Sequence, residues 1–280
     1  MEHKTRIREG KEVREKEPIL VSLRPIMHCN FSCKFCLSRS DKNRTEKALR
    51  TELDRFFGQL DGAKFNGIIH ICGGEPFLYK EIDGLMAECS KHAVEVAALT
   101  NGSWIPYVDE ERSLSRLRAR LEQVKGLPNV MIRISMDSYH LDGEAGDPKG
   151  LDRLRIFSKV ADSMGLVPGQ HYSIQVTEKT ETDAVAMRGR IEGLLGISDG
   201  SGFIRTRGMY HLGRAQGGRE FHLGDPHYIA LNPTTEGKLI IYAGRQEENV
   251  NVVYGGVDKL GEVIENHRHS IAKLAREGKE

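Results

Sequence analysis

The sequence predicts an α/β fold: a parallel sheet of about six strands joined by helices, followed by a small α+β unit. Two observations carry this reading. Short apolar runs alternate with amphipathic helical patterns through residue 206, the order that parallel strands with right-handed crossovers require. Beyond that point the rhythm breaks, and a hairpin pattern and one terminal helix take its place. Composition allows such a core, since the 280 residues are 39% apolar, 29% charged and 6% aromatic, far from disordered or fibrous chains.

Residues 1–18 are charged and aperiodic and read as an N-terminal arm. Ile19 to Leu23 is the first strand. Glu46 to Leu60 has helical spacing, with Leu49, Leu53, Phe56, Phe57 and Leu60 on one face. Gly67 to Cys72 is a second short apolar run, Tyr79 to Ala93 a helix, and Val94 to Thr100 a strand. Glu110 to Val124 is a charged helix with leucines at 114, 117 and 121, and Val130 to Met136 is a strand. Leu151 to Met164 is a helix, Tyr172 to Thr177 an alternating strand, Ala184 to Leu195 a weaker helix, and Gly202 to Thr206 a strand. Glycines at 208, 213, 217, 218 and 224 mark a loop, which divides the chain into 19–207 and 208–280. In the second part Tyr228 to Leu231 and Lys238 to Ala243 pair as a hairpin, and Leu260 to Glu277 is a helix.

Charge and hydropathy narrow the function classes. The 41 basic and 40 acidic residues leave a net charge of +1, which disfavours a nucleic-acid partner, because phosphate contacts need clustered Lys and Arg. No apolar run approaches the roughly 20 residues a bilayer requires. The start, MEHKTRIREGKEVREKEP, carries charge where a signal peptide needs an apolar stretch. The expected location is therefore the cytoplasm, with no membrane association.

Three of the five cysteines fall within Cys29-Asn-Phe-Ser-Cys33-Lys-Phe-Cys36, directly after the first strand. Such crowding suits a metal site better than a disulfide frame. Zinc would need a fourth ligand, for which His28, Cys72 or Cys89 are candidates. An iron-sulfur cubane could be held by the three alone, with one iron left open. Spacing by itself leaves both standing. The second informative segment is Cys72-Gly73-Gly74-Glu75-Pro76, just beyond the second strand. Its paired glycines let backbone approach a ligand, and Glu75 can accept from an ammonium group.

Together these two motifs, with Phe35 just before the last cysteine, resemble the signature of the radical S-adenosylmethionine (SAM) superfamily. The resemblance implies a partial (βα)6 TIM-like barrel over 19–207, with a C-terminal cap at 208–280. Cys29, Cys33 and Cys36 would be ligands of a [4Fe-4S] cluster. Phe35 would lie against adenine, and Gly73, Gly74, Glu75 and Pro76 would bind the methionyl amine. Thr100 and Asn101 at the third strand end, and Ser135 and Asp137 at the fourth, would contact the ribose or carboxylate of SAM. In parallel barrels ligands sit at such C-terminal strand ends.

The second part resembles the lead-in and hairpin of an auxiliary-cluster extension. No cysteine follows Cys89, so a second cluster is not expected and the segment would be a metal-free cap over the barrel mouth. Cys72 and His140 are the remaining candidates for catalysis, the first as a hydrogen-atom donor and the second as a proton acceptor or substrate contact. Their plainer readings are a buried small residue and a surface histidine. The implied function is reductive cleavage of SAM to a 5′-deoxyadenosyl radical that takes hydrogen from a small molecule or peptide. The outcome would be rearrangement, epimerisation, oxidation or carbon-carbon coupling. The electron would come from a flavodoxin or ferredoxin. Only 18 residues precede the first strand, which leaves no room there for a leader-binding domain and weakens the peptide option. Two alternatives are a non-catalytic zinc scaffold of the same fold and a member that transfers a methyl or aminocarboxypropyl group.

Overall fold

The computed structural model describes residues 18–33, 36, 38–141, 147–178, 180–197, 203–208, 228–245 and 250–277. Most of the charged arm, Phe35 and the glycine-rich stretch 209–227 lie outside the described residues. Six strands run parallel in sequence order: β1 (Leu20–Ile26), β2 (Ile68–Gly73), β3 (Glu95–Thr100), β4 (Val130–Ser135), β5 (Tyr172–Glu178) and β6 (Ile204–Gly208). Their crossovers carry α1 (Arg50–Gly62), α2 (Ile82–His92), α3 (Glu111–Lys125), the single turn α4 (Ser138–Leu141), α5 (Gly150–Ser163) and α6 (Glu181–Leu195). The sheet is open, as the partial barrel requires, with β6 at one edge.

In the C-terminal segment three strands join the parallel sheet. β7 (Tyr228–Pro233) pairs in parallel with β1, β8 (Leu239–Arg245) antiparallel with β7, and β9 (Val250–Gly256) antiparallel with β8. Its strands thus extend one nine-stranded sheet in the order β6-β5-β4-β3-β2-β1-β7-β8-β9. The physical reason is β1: paired with β2 alone, its other side would present unmet N–H and C=O groups. β9 escapes the sequence pattern because two glycines end it and asparagine interrupts its valines. α7 (Leu260–Glu277) comes after it and packs against α1.

Strand alternation divides the faces of the sheet. Val21, Leu23, Ile69, Ile71, Val96, Ala98, Ile132, Ile134, Ile174 and Val176 are fully buried in the main apolar core, where each Val, Leu or Ile side chain contributes about 1.5–3 kcal/mol. The alternate positions carry Ser22 opposite His70 and Arg133 opposite Ser173. Arg133 is only 2% exposed, and its guanidinium meets His70 Nε2 at 3.3 Å, Ser173 Oγ at 3.4 Å and Glu95 Oε1 at 3.6 Å. This polar face, not the apolar one, lies beneath the strand ends.

Two helix starts shift from the periodic expectation for identifiable reasons. α1 begins at Arg50, because Ala48 N–H is taken by Pro25 O and Leu49 N–H by Gly237 O. Leu49 is left 52% exposed. α2 begins at Ile82, because Pro76–Leu78 first form a 3-10 turn capped by the Glu75 side chain.

Glu52, 6% exposed in α1, joins the two parts of the chain: its Oε2 accepts from Leu239 N–H of β8 at 3.0 Å. Its Oε1 accepts from Arg55 at 2.5 Å. Glu52→Ala leaves a buried amide without a partner and should cost about 1–3 kcal/mol. Denaturant unfolding measures the loss, and hydrogen exchange should show it first at β8; unchanged stability would remove Glu52 as the tie.

Candidate functional site

The end of β1 sets the position of the cysteine loop. Beyond Ile26 the chain is pinned by Met27 N–H to Glu46 O at 2.8 Å and Cys29 N–H to Asp41 O at 3.0 Å. Residues 39–47 thereby run back alongside 26–29. Cys29, Phe31 and Cys33 form a small buried cluster of their own, with Cys36 packed against it and half-buried. All five cysteines are free.

Each of the three sulfurs in the loop meets a donor group. Cys29 Sγ accepts from Phe31 N–H at 3.4 Å and from Asn101 Nδ2 at 3.8 Å. Cys36 Sγ accepts from Ser40 N–H at 3.3 Å. Cys33 Sγ lies 3.9 Å from His140 Nε2. Burial pushes the Cys29 thiol up to about 12, with the Phe31 N–H opposing and the nearby Glu75 charge adding to the rise. Thiolates in such a place need positive charge beside them, which a metal centre supplies. Among the described residues, no three His, Cys, Asp or Glu side chains draw together closely enough for one metal ion.

The glycine turn abuts this loop. Gly74 N–H donates to Ile26 O at 2.8 Å and Glu75 N–H to His28 O at 3.0 Å. Gly73 has φ +111°, outside the range of ordinary L residues. A Cβ on Gly74 would fall 1.9 Å from His28 O. Both glycines are thus demanded by the approach of two strand ends.

Glu75 lies at the centre of a hydrogen-bond network. It is fully buried. Its Oε1 accepts from Thr100 Oγ1 at 2.7 Å and Phe77 N–H at 3.0 Å, and its Oε2 accepts from Asn101 N–H at 2.8 Å. Burial raises its pKa, and those three donors work against the rise. Its carboxylate ties the end of β2 to the end of β3 instead of facing an open cleft, and Pro76 is buried beside it. Thr100 is likewise committed, receiving Gly102 N–H at 3.0 Å and Trp104 Nε1 at 3.1 Å. Asn101 is half-buried and points at the cysteine loop, also donating to Asn30 Oδ1 at 3.0 Å.

At the end of β4, Ser135 is half-buried, and Asp137, 1% exposed, caps α4. Asp137 Oδ1 accepts from Tyr139 N–H and His140 N–H, both at 3.1 Å, and lies 2.8 Å from His140 Nδ1. Burial opposes protonation of His140. The Asp137 charge and hydrogen bond, and then Cys33, outweigh it and lift its pKa to about 10. Glu178, which sequence reasoning did not single out, anchors α4 by accepting from Ser138 N–H at 2.7 Å and Ser138 Oγ at 2.8 Å. No local pattern announces it, since the contact joins β5 to the turn after β4.

Cys72 is half-buried on the polar face, 2.9 Å from Ser22 Oγ. Cys89 is buried within α2 and far from the loop in the chain, and burial raises its pKa well above the usual thiol range. The structure thus brings Cys29, Cys33, Cys36, Asn101 and His140 together, holds Glu75, Thr100 and Asp137 just behind them, and leaves Cys89 in the core.

Comparison with known proteins identifies the family. The sequence pattern of the Radical SAM superfamily matches residues 23–164, about half of the chain. A 90-residue stretch is 29% identical to the S-adenosylmethionine-dependent nucleotide dehydratase of Psychrobacter lutiphocae, covering 28% of this chain and 30% of that protein. A 104-residue stretch is 31% identical to the GTP 3′,8-cyclase of Helicobacter pylori, covering 35% of this chain and 32% of that one. The chain spans about a third of the length of these curated relatives. The crystal structure of BtrN in complex with AdoMet and 2-DOIA superimposes with a TM-score of 0.50 at 16% identity, over 94% of this chain and 89% of that one. That likeness shows a shared fold.

Gly74→Ala should force the glycine turn and His28 apart, at a cost of about 1–3 kcal/mol from overpacking. A thermal unfolding curve matching the unmodified protein would show that the approach is not tight.

Proposed function

Because the chain belongs to the radical SAM superfamily, whose enzymes use a [4Fe-4S] cluster and SAM, we propose that Cys29, Cys33 and Cys36 are the cluster ligands of this enzyme. The observation that carries the reading is the presence of three free sulfurs on one loop at the C-terminal end of β1, two of them accepting from backbone N–H groups and the third beside His140 Nε2. Hydrogen bonds of this kind stabilise metal-bound thiolates. With SAM bound, the cluster supplies one-electron cleavage of the sulfonium and a 5′-deoxyadenosyl radical. The chain's own residues bind, orient and exclude water.

SAM is assigned to the strand ends beside that loop. Gly73 and Gly74 stay in the assigned set by their place at the end of β2 beside the loop, although the space where their side chains would stand is filled by the backbone of Ile26 and His28. Asn101 and Ser135, both half-buried, offer side-chain polar atoms from the next two strand ends. Glu75, Thr100 and Asp137 act one step behind, holding these strand ends at fixed spacing. Phe35, assigned to the adenine, completes the set by its place before Cys36. The buried cysteine loop limits water near the reacting centre, as radical chemistry requires.

The substrate is read as a small molecule or a peptide side chain that loses a hydrogen atom to the radical. Its outcome lies among rearrangement, epimerisation, oxidation and carbon-carbon bond formation. On the polar face of the sheet, His70 and Cys72 are half-buried, while Ser22, Arg133 and Ser173 are buried behind them. The names of both curated relatives concern nucleotides; their matches to this chain are too partial to carry a substrate across. A flavodoxin or ferredoxin supplies the electron. As an enzyme of this superfamily, the protein is not the zinc-holding scaffold that three cysteines alone would also allow.

Anaerobic reconstitution tests the reading. The unmodified protein should bind about four irons per chain and, once reduced with SAM, release 5′-deoxyadenosine. Cys33→Ala should lose both the brown colour and the cleavage. Cleavage retained in that variant sinks the ligand assignment, and methylthioadenosine as product would move the enzyme to aminocarboxypropyl transfer.

A further inference from the structure

His140 lies between an acid and a sulfur. Its Nδ1 is 2.8 Å from Asp137 Oδ1 and its Nε2 3.9 Å from Cys33 Sγ. The imidazole sits 5.9 Å, centroid to centroid, from the ring of Phe31, which packs with Cys29 and Cys33. Its side chain is 13% exposed and that of Asp137 1%. The turn that carries both is fastened to β5 through Ser138 and Glu178. The ring is therefore held by its partner acid, by an aromatic neighbour and by its own backbone.

Hydrogen-bond chemistry then assigns the direction of each contact. An ionised carboxylate can only accept, and so can a thiolate bound to metal. A ring flanked by one of each matches both only when each nitrogen carries a hydrogen. Cys29 and Cys36 take their donors from loop backbone and from Asn101. Among the described residues, the side-chain donor that reaches Cys33 is His140.

We propose that His140 is a positioning residue that donates an Nε2–H hydrogen bond to Cys33 Sγ and thereby raises the reduction potential of the cluster, with Asp137 holding the ring in that orientation. This rests on the assignment of Cys33 as a ligand. A donor aimed at a ligand sulfur offsets the negative charge that reduction adds, so it favours the reduced state and eases entry of the electron. Nothing in the three-cysteine pattern requires such a residue. It is a property of this chain's Asp137-Ser-Tyr-His140 turn.

The test compares the reconstituted full-length protein with His140→Phe and His140→Gln. Each is characterised by iron content, thermal unfolding and a potentiometric titration followed by electron paramagnetic resonance without SAM. His140→Phe should keep its iron and its unfolding midpoint while its reduction midpoint moves to more negative potential. His140→Gln, which retains an N–H, should recover at least half of that shift. A Phe variant that titrates like the unmodified protein, or a Gln variant shifted as far as Phe, overturns the proposal. Should the Phe variant fail to retain iron, Asp137→Asn decides: a negative shift supports the proposal and an unchanged midpoint refutes it. An unmodified protein that binds no iron would instead refute the ligand assignment itself.

Discussion

The buried carboxylate of Glu75 is the constraint on which the site depends. A carboxylate without exposure persists only when its lone pairs are met, since an ion stripped of water and left unpaired costs several kcal/mol. Here a hydroxyl from Thr100 and backbone N–H groups from Phe77 and Asn101 meet it. One side chain thereby sets the spacing between the ends of β2 and β3 and the turn that presents Asn101 to Cys29. Its negative charge also reaches the sulfurs, where it adds to the burial that keeps Cys29 protonated. The same pocket becomes favourable for thiolates once positive charge enters it.

Around that centre, polar groups are arranged in two layers. Of those nearest the cysteines, Asn101 and Ser40 present N–H groups toward sulfur, and His140 places its Nε2 beside Cys33. Those behind, Glu75, Thr100, Asp137 and Glu178, are buried and accept hydrogen bonds from the turns that carry the first set. Such a layered network holds loops that have little apolar surface of their own. Its cost is sensitivity, because removing one buried partner strands another.

The C-terminal strands serve the same end by a different route. β7 covers the free side of β1, so the strand that delivers the cysteine loop becomes internal to the sheet and is held from both sides. Arg24 of β1 donates to Asn232 Oδ1 of β7 at 2.8 Å, and Glu52 reaches β8 from α1. β7 therefore braces β1 along Leu20–Leu23, and β8 is tied to α1.

Much of this was legible in the chain itself. Alternation of short apolar runs with helical periods determined the parallel sheet and its six strands, because side-chain spacing is a local property. α7 was bounded at both ends by the same signal. The three cysteines and the glycine pair were legible as chemistry, because sulfur spacing and a missing Cβ are properties of single residues. Only the tertiary structure decided that Glu75 and Thr100 turn inward, that β7 lies beside β1, and that His140 reaches Cys33 across 107 positions. Those outcomes depend on which strand ends meet and which polar atoms are left without water. That is settled by the packing of distant segments, and no local pattern of residues encodes it.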